Sequence, residues 1–309
     1  MTKTSLPKVL VVTGPTAAGK TSIGIELAKR LNGEIISADS RQVYKLMDIG
    51  TAKPSLEERR EIPHHLIDIS FPDQTYSAGL FAKDAHTLIE QILNRGKMPI
   101  IVGGTGLYLK VLMQGIFSGP GADQMIREKL NQEVEQYGLH KVYERLQELD
   151  PVAAAKISPK DRIRIIRALE IYELTGKPIS SWQSTDEQSY PRFKFICFGI
   201  NLSRKKLYER INLRVDKIME KGFLDEVKNI HQLGYSFDWP ALRTFGYLDM
   251  LDYLQGRIGL DDATEKFKRK TRNFAKRQLT WFRHQLELAW IESETANPIE
   301  GILEALKRA

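Results

Sequence analysis

Residues Gly14-Pro15-Thr16-Ala17-Ala18-Gly19-Lys20-Thr21 satisfy the pattern G-x-x-x-x-G-K-[ST] at every fixed position, and nothing else in the chain narrows its fold as far. Such a loop needs a strand to deliver it and a helix whose first turn it opens. Both are legible. Lys8 to Val12 is a β-branched apolar run stopped by Gly14 and Pro15, and Ile23, Leu27, Ala28 and Leu31 give Lys20 to Leu31 the spacing of a helix with one apolar face. Gly14 and Gly19 let the backbone curl so that successive N–H groups, including those of Thr16, Ala17 and Ala18, face one anion. The helix N-terminus adds about half a positive charge, Lys20 a full one, and the Thr21 hydroxyl can ligate Mg²⁺.

Further strands are expected at Glu34 to Ala38 and Pro99 to Val102, with a helix-like stretch from Ala78 to Leu93 between them. Strands alternating with helices imply a parallel sheet. From Gly119 to Pro191 the β-branched runs vanish, and helical segments near Asp123 to Tyr137, Leu139 to Leu149 and Lys160 to Thr175 follow one another. Phe193 to Ile200 then reads as another buried strand, and helical patterns resume from Ser203 to Leu233 and from Asp261 to Leu288. The expected architecture is a P-loop NTPase-like parallel sheet flanked by helices, formed by residues 1–118 and 192–309, with an all-helical insertion at 119–191.

Composition excludes several classes. A chain of 309 residues with 42% hydrophobic residues buries about three quarters of its unfolded surface and needs no disulfide or metal to fold. Its single cysteine, Cys197, lies in an apolar run and rules out an internal disulfide or a cysteine metal cluster. No stretch reaches the roughly 18 apolar residues of a membrane span, and Met1 to Pro7 lacks the apolar core of a secretory signal. A cytoplasmic location is therefore expected; a monomer is the working expectation, which no residue here fixes. Forty-six Lys and Arg against 39 Asp and Glu leave a net charge of +7, which suits a polyanionic partner without requiring one.

The glycine loop binds phosphate but does not select among nucleotides, diphosphate esters and phosphorylated metabolites. An ATPase or GTPase of this class usually has a second strand ending in a metal-holding Asp. Here Ile100 to Val102 ends in Gly103-Gly104-Thr105, with no acid at its tip. Asp39, after Ile35-Ile36-Ser37-Ala38, is the one carboxylate expected at a strand's carboxyl end beside the loop, where open α/β sheets place ligands. It could hold a metal, take a proton from an acceptor or simply cap the turn that follows.

Asp39-Ser40-Arg41-Gln42-Val43-Tyr44, Asp48-Ile49-Gly50-Thr51-Ala52-Lys53-Pro54, His64-His65-Leu66-Ile67-Asp68 and Gly103-Gly104-Thr105-Gly106-Leu107-Tyr108 follow the loop in order. With Arg167-Ala168-Leu169-Glu170, Arg210 to Arg214, Gly222-Phe223 and Ala275-Lys276-Arg277-Gln278, they make the chain resemble the tRNA dimethylallyltransferases over nearly its whole length. The resemblance implies transfer of a dimethylallyl group from dimethylallyl diphosphate to N6 of the adenosine 3′ of the anticodon, with release of diphosphate. It assigns Asp39 as the base for the N6 proton, Arg214 as a diphosphate-binding arginine beside Lys20 and Thr21, and Thr105 as a hydroxyl near the reacting base. Mg²⁺ would neutralise charge on the same oxygens. His64 and His65 read as structural.

The resemblance places tRNA contacts at Asp39, Ser40, Arg41 and Gln42, at Thr105, and at Ile163, Arg164, Ile165, Ile166 and Arg167. It places others at Leu242, Arg243, Thr244, Phe245, Gly246 and Tyr247, at Asn273, Lys276, Arg277, Gln278 and Thr280, and more loosely at Arg127. From the residues alone, Arg164 and Arg167 share one helix face, with Ile163 and Ile166 available for packing. Residues 266 to 283 carry eight cations and no acid, so an anionic partner would relieve repulsion between neighbours on the helix. A stacked loop adenine must be extruded before a recessed carboxylate can reach it. Alternatives are an isopentenyltransferase for free adenine nucleotides, a P-loop small-molecule kinase and a nucleotide-switched RNA-binding protein.

Overall fold

The computed structural model describes residues 6–115, 119–184, 192–294 and 297–308. The chain begins with β1 (Lys8–Thr13), α1 (Lys20–Leu31), β2 (Gly33–Ser37), α2 (Leu56–Glu61), β3 (His64–His65), α3 (Ala78–Asn94), β4 (Met98–Val102) and α4 (Gly106–Gln114). Helices α5 (Gln124–Tyr137), α6 (Leu139–Leu149), α7 (Pro151–Ala154), α8 (Arg162–Thr175) and α9 (Ile179–Ser184) come next. The chain then returns through β5 (Lys194–Asn201), α10 (Arg204–Glu220), α11 (Phe223–Gln232), α12 (Tyr247–Leu254), α13 (Leu260–Gln285), β6 (Ala289–Glu292) and α14 (Pro298–Arg308). Two compact units result, one from residues 1–115 and 192–309, the other from 116–191.

The first unit holds a six-stranded, all-parallel sheet in the order β3-β2-β4-β1-β5-β6. Period-two alternation sorts the faces of β1: Leu10 and Val12 join the core formed with α1, α10 and α14, while Val9 and Val11 join that of α3, α4 and Phe282. Both faces of β1, β2 and β4 are buried because helices cover the two sides of the sheet, whereas β3 and β6 at its edges are only partly covered. A third apolar cluster joins α10 to α13 with the segment around Val43 to Met47.

The expected Ser203 to Leu233 helix is two helices. It breaks at Gly222, whose φ of 90° is left-handed and leaves α10 to restart as α11. Cys197 is half-buried, its thiol pushed up to about 12 by burial, so it is an inert packing group. His64 Nδ1 lies 2.7 Å from the Ile62 carbonyl and His65 Nε2 2.7 Å from Glu34 Oε2, which ties edge strand β3 to β2.

In the second unit, Leu130, Val142, Leu146, Ile165 and Leu169 build a core of their own. Its fixed point is Glu170, whose side chain is completely buried. Glu170 accepts from Arg127 Nε at 2.9 Å, from Arg167 Nη1 at 2.7 Å and from the Asp123 backbone N–H at 2.7 Å. Burial pushes its carboxyl up, but these donors outweigh that and hold it below the ordinary value. Arg127 and Arg167 are thus structural partners first. Arg167→Ala is expected to cost about 2 kcal/mol of stability as well as any RNA contact, and a melting curve with a salt titration of binding separates the two. An unchanged melting temperature would show that the buried carboxylate does not depend on Arg167.

Candidate active site

Three neighbouring strands, β2, β4 and β1, end side by side, and the loops leaving them line one cleft of about 1070 Å³. From β1 comes the glycine loop. Gly14 takes φ +143°, and a Cβ there would lie 2.7 Å from the Ile200 carbonyl oxygen. Ala17 at φ 63° and Gly19 at φ 90° continue the curl into α1. From β2 comes Asp39, and from β4 come Gly103, Gly104 and Thr105.

The β2 and β4 ends are stitched together. Ala38 N donates to Val102 O at 2.9 Å, Thr105 N to Ala38 O at 3.1 Å, and Thr13 Oγ1 to Gly103 O at 2.8 Å. A Cβ on Gly103 would sit 2.1 Å from the Ala38 carbonyl oxygen, a rigid backbone atom. Gly103→Ala is therefore expected to destabilise the chain by about 4 kcal/mol, measured as a lower urea midpoint. An unchanged midpoint would show that the two strand ends are not packed this closely.

Thr105 Oγ1 accepts from Ser40 N at 2.9 Å and donates to Ser40 Oγ at 3.3 Å. Asp39 Oδ1 accepts from Arg41 N at 2.9 Å and from Gln42 N at 3.4 Å. The Asp39 carboxylate thus caps its own turn with one oxygen while it lines the cleft. No helix follows it, so the capping alternative is met by a turn alone.

Positive charge is concentrated at the cradle. Lys20 donates from Nζ to the Pro15 carbonyl at 2.7 Å. Burial first, and Arg214 second, lower its ammonium to about 7, against the opposing pull of Asp39. Arg214 is lowered by burial too, with Asp39 again opposing. Arg210 and Lys217 continue along the cleft side of α10, the spacing of a single helix stripe, and Lys221 follows at its C-terminal end. Phe245 and Phe274 line the same cleft with ring centroids 5.2 Å apart.

Several residues expected to contact RNA have other engagements. Gln42 is buried: its Oε1 accepts from Ser37 Oγ, and its Nε2 reaches the Thr51 and Ala52 carbonyls at 3.4 and 3.3 Å. Arg41 donates to the Pro240 and Ala241 carbonyls at 2.6 and 3.1 Å, pinning that loop. Ile165, Ile166, Leu242 and Tyr247 are buried, so only their backbones can meet a partner. Gly246 allows no Cβ, which would meet the Phe267 ring at 2.9 Å. Conversely, Ile163, offered both as a packing residue and as an RNA contact, is 82% exposed and does not pack, beside exposed Arg164.

On α13, Lys268 pairs with Asp216 and Glu265 and Lys270 with Asp249, so part of the repulsion read from the sequence is relieved internally. Among the described residues, Lys266, Arg269 and Lys276 have no ion-pair partner. Asn273, Arg277, Thr280 and Arg243 are exposed, while Thr244 is half-buried. Sequence reasoning missed Glu226, which accepts from the backbone N–H groups of Asp48, Ile49 and Gly50 and from the Tyr247 hydroxyl. It fixes the cleft wall, and its partners are too distant in sequence to reveal it.

These features define a P-loop α/β protein whose phosphate cradle faces a carboxylate and a hydroxyl from adjacent strands. Residues 42–285 match the IPP transferase family model, and the chain belongs to that family. It is 50% identical to a tRNA dimethylallyltransferase of Carboxydothermus hydrogenoformans over 93% of this chain and 92% of that one. It is 47% identical to a namesake from Acetivibrio thermocellus over 98% and 97% of the two chains. The full-length tRNA isopentenylpyrophosphate transferase of Bacillus halodurans superposes with a TM-score of 0.70 at 41% identity, covering 97% and 94%. A eukaryotic dimethylallyltransferase described as acting on tRNA superposes with a TM-score of 0.78 at 30% identity, covering 97% of this chain and 78% of that one.

Proposed function

We propose that this chain transfers a dimethylallyl group from dimethylallyl diphosphate to N6 of the adenosine 3′ of a tRNA anticodon and releases diphosphate. The observation that carries the reading is that Lys20 and Arg214, both desolvated, line one cleft with the glycine loop and Asp39. Arg214 depresses the Lys20 ammonium, so an anion that joins the two cations is favoured, and a diphosphate supplies the charge.

The bond between the allylic carbon and the diphosphate oxygen breaks with its electron pair leaving on diphosphate. Lys20, Arg214 and the loop N–H groups other than that of Thr16, which Gln278 takes, stabilise that growing charge. The adenine N6 lone pair forms the new C–N bond, and Asp39 takes the N6 proton as it does so. Phe245 and Phe274 offer the apolar tail an aromatic wall. Thr105 orders Ser40 and with it the Asp39 turn.

For Mg²⁺ the test is the donor set. Thr21 lines the cleft, and a hydroxyl among phosphate oxygens and waters is what that ion accepts. No group of three or more His, Cys, Asp or Glu suited to a metal occurs among the described residues. Thr21 would hold the ion, which would offset charge on the diphosphate oxygens.

We assign tRNA contacts to the exposed residues Ile163 and Arg164 of α8 and Arg269, Lys276 and Arg277 of α13, with half-buried Lys266 beside them. Incubation with labelled dimethylallyl diphosphate and an anticodon stem-loop, followed by digestion to nucleosides, is expected to place label on one adenosine. Equal rates on free AMP would favour a nucleotide isopentenyltransferase, and phosphate transfer from ATP a kinase; either outcome overturns the reading.

A further inference from the structure

Gln278 belongs to the stretch of α13 that the family likeness connects with RNA, yet its side chain is buried and both ends of its amide are engaged inside the protein. Its Oε1 accepts from the Thr16 backbone N–H at 2.8 Å, and its Nε2 donates to the Gly104 carbonyl at 2.8 Å. One amide therefore links the glycine loop after β1 to the Gly103-Gly104-Thr105 loop after β4.

The link continues. Thr105, next to Gly104, holds the Ser40 N–H at 2.9 Å, and Ser40 adjoins Asp39. The contact with Gly104 is close enough that a Cβ there would lie 2.7 Å from Gln278 Nε2 and 3.6 Å from Lys20 Nζ. The two ends of the path are the group that would hold the departing diphosphate and the group that would take the proton.

We propose that Gln278 is a positioning residue that sets the separation between the diphosphate cradle and the Asp39 carboxylate, rather than an RNA contact. It rests on the prenyl-transfer reading for its consequence in rate, though not for the bridge itself. The residue type follows from the geometry. One atom must accept and its neighbour donate at the end of a long side chain, which an amide does; a carboxylate lacks the donor and an ammonium lacks the acceptor. Because transfer depends on a near-attack arrangement of donor and acceptor, loosening this bridge slows the chemical step more than it weakens either substrate.

The test uses the full chain. Gln278→Met keeps the volume and helix propensity while removing both hydrogen bonds. It is expected to lower kcat roughly 10- to 100-fold, with KM for dimethylallyl diphosphate and the dissociation constant for a stem-loop each within about threefold. Gln278→Glu, which keeps length and the acceptor, is the second variant should Met unsettle the helix, and the same kcat loss is expected.

Adding Thr105→Ala to Gln278→Met is expected to slow the enzyme by no more than about threefold beyond the slower single variant, since both act on one path. A merely structural role would make the losses multiply. Independently of turnover, inorganic pyrophosphate should slow amide exchange at Ser40 and Thr105 in the native chain but not in Gln278→Met. Unchanged kcat, weakened RNA binding at native kcat, multiplying losses or identical exchange responses would each overturn the inference. A native chain that makes no prenylated product but shows the exchange response keeps the bridge and sinks the functional reading.

Discussion

Asp39→Asn is expected to lower kcat by about 10²- to 10⁴-fold while leaving the affinity for a tRNA stem-loop within about threefold. Asparagine is the informative change because its Oδ1 still accepts the Arg41 and Gln42 N–H bonds that shape the turn. What it loses is the capacity to take a proton. Without a base, the N6 nitrogen must carry positive charge through the transition state, a loss of about 3 to 5 kcal/mol. Arg164→Ala should do the reverse, weakening RNA binding and flattening its salt dependence with kcat preserved. Equal losses of affinity and turnover in both variants would refute the division of roles.

Lys20 leads to the second large effect. Burial, and after it Arg214, lower its ammonium to about 7. The unfolded chain keeps that lysine protonated to about pH 10.4, so between these values the unfolded state binds the extra proton. The contribution of Lys20 to folding therefore improves as pH rises from about 7 towards 10, and below about 7, where both states are protonated, its penalty is complete and no longer changes. A diphosphate in the cradle supplies the missing counter-charge and raises the ammonium again, so binding takes up a proton. The affinity for inorganic pyrophosphate is expected to fall by up to about tenfold per pH unit above 7, and Lys20→Met should bind weakly with no such slope. Calorimetry in buffers of different ionisation enthalpy reads the proton directly; binding without proton uptake at pH 8 would show that Lys20 is already charged before the anion binds.

Much of this was legible in the sequence because the cradle is local. Gly14 to Thr21 lie within one turn of chain, flanked by a β-branched run and an amphipathic helix, and the structure places β1 at Lys8–Thr13 and α1 at Lys20–Leu31. The strand ends that carry Asp39 and Gly103 were legible for the same reason. Strand β3 was not, since two histidines have no periodicity to show, and the four residues of β6, Ala289–Glu292, are too few to alternate visibly. The anchors escaped for a different reason. Glu226 serves residues 178, 177 and 176 positions away, and Gln278 reaches Thr16 across 262. Such residues are polar letters inside helical stretches until the fold is known, and they read as surface.

The placement of β1 bears on how the protein is made. One flank of that strand is β4, but the other is β5, residues 194 to 201, and the loop that follows β1 is braced by a glutamine farther along still. A nascent polypeptide emerging from the ribosome presents its glycine loop early and must wait for most of the remaining translation before that loop acquires its second flank and its brace. Products of premature termination would carry the anion-binding motif without the machinery that gives it purpose, so competence arrives only when synthesis is nearly done.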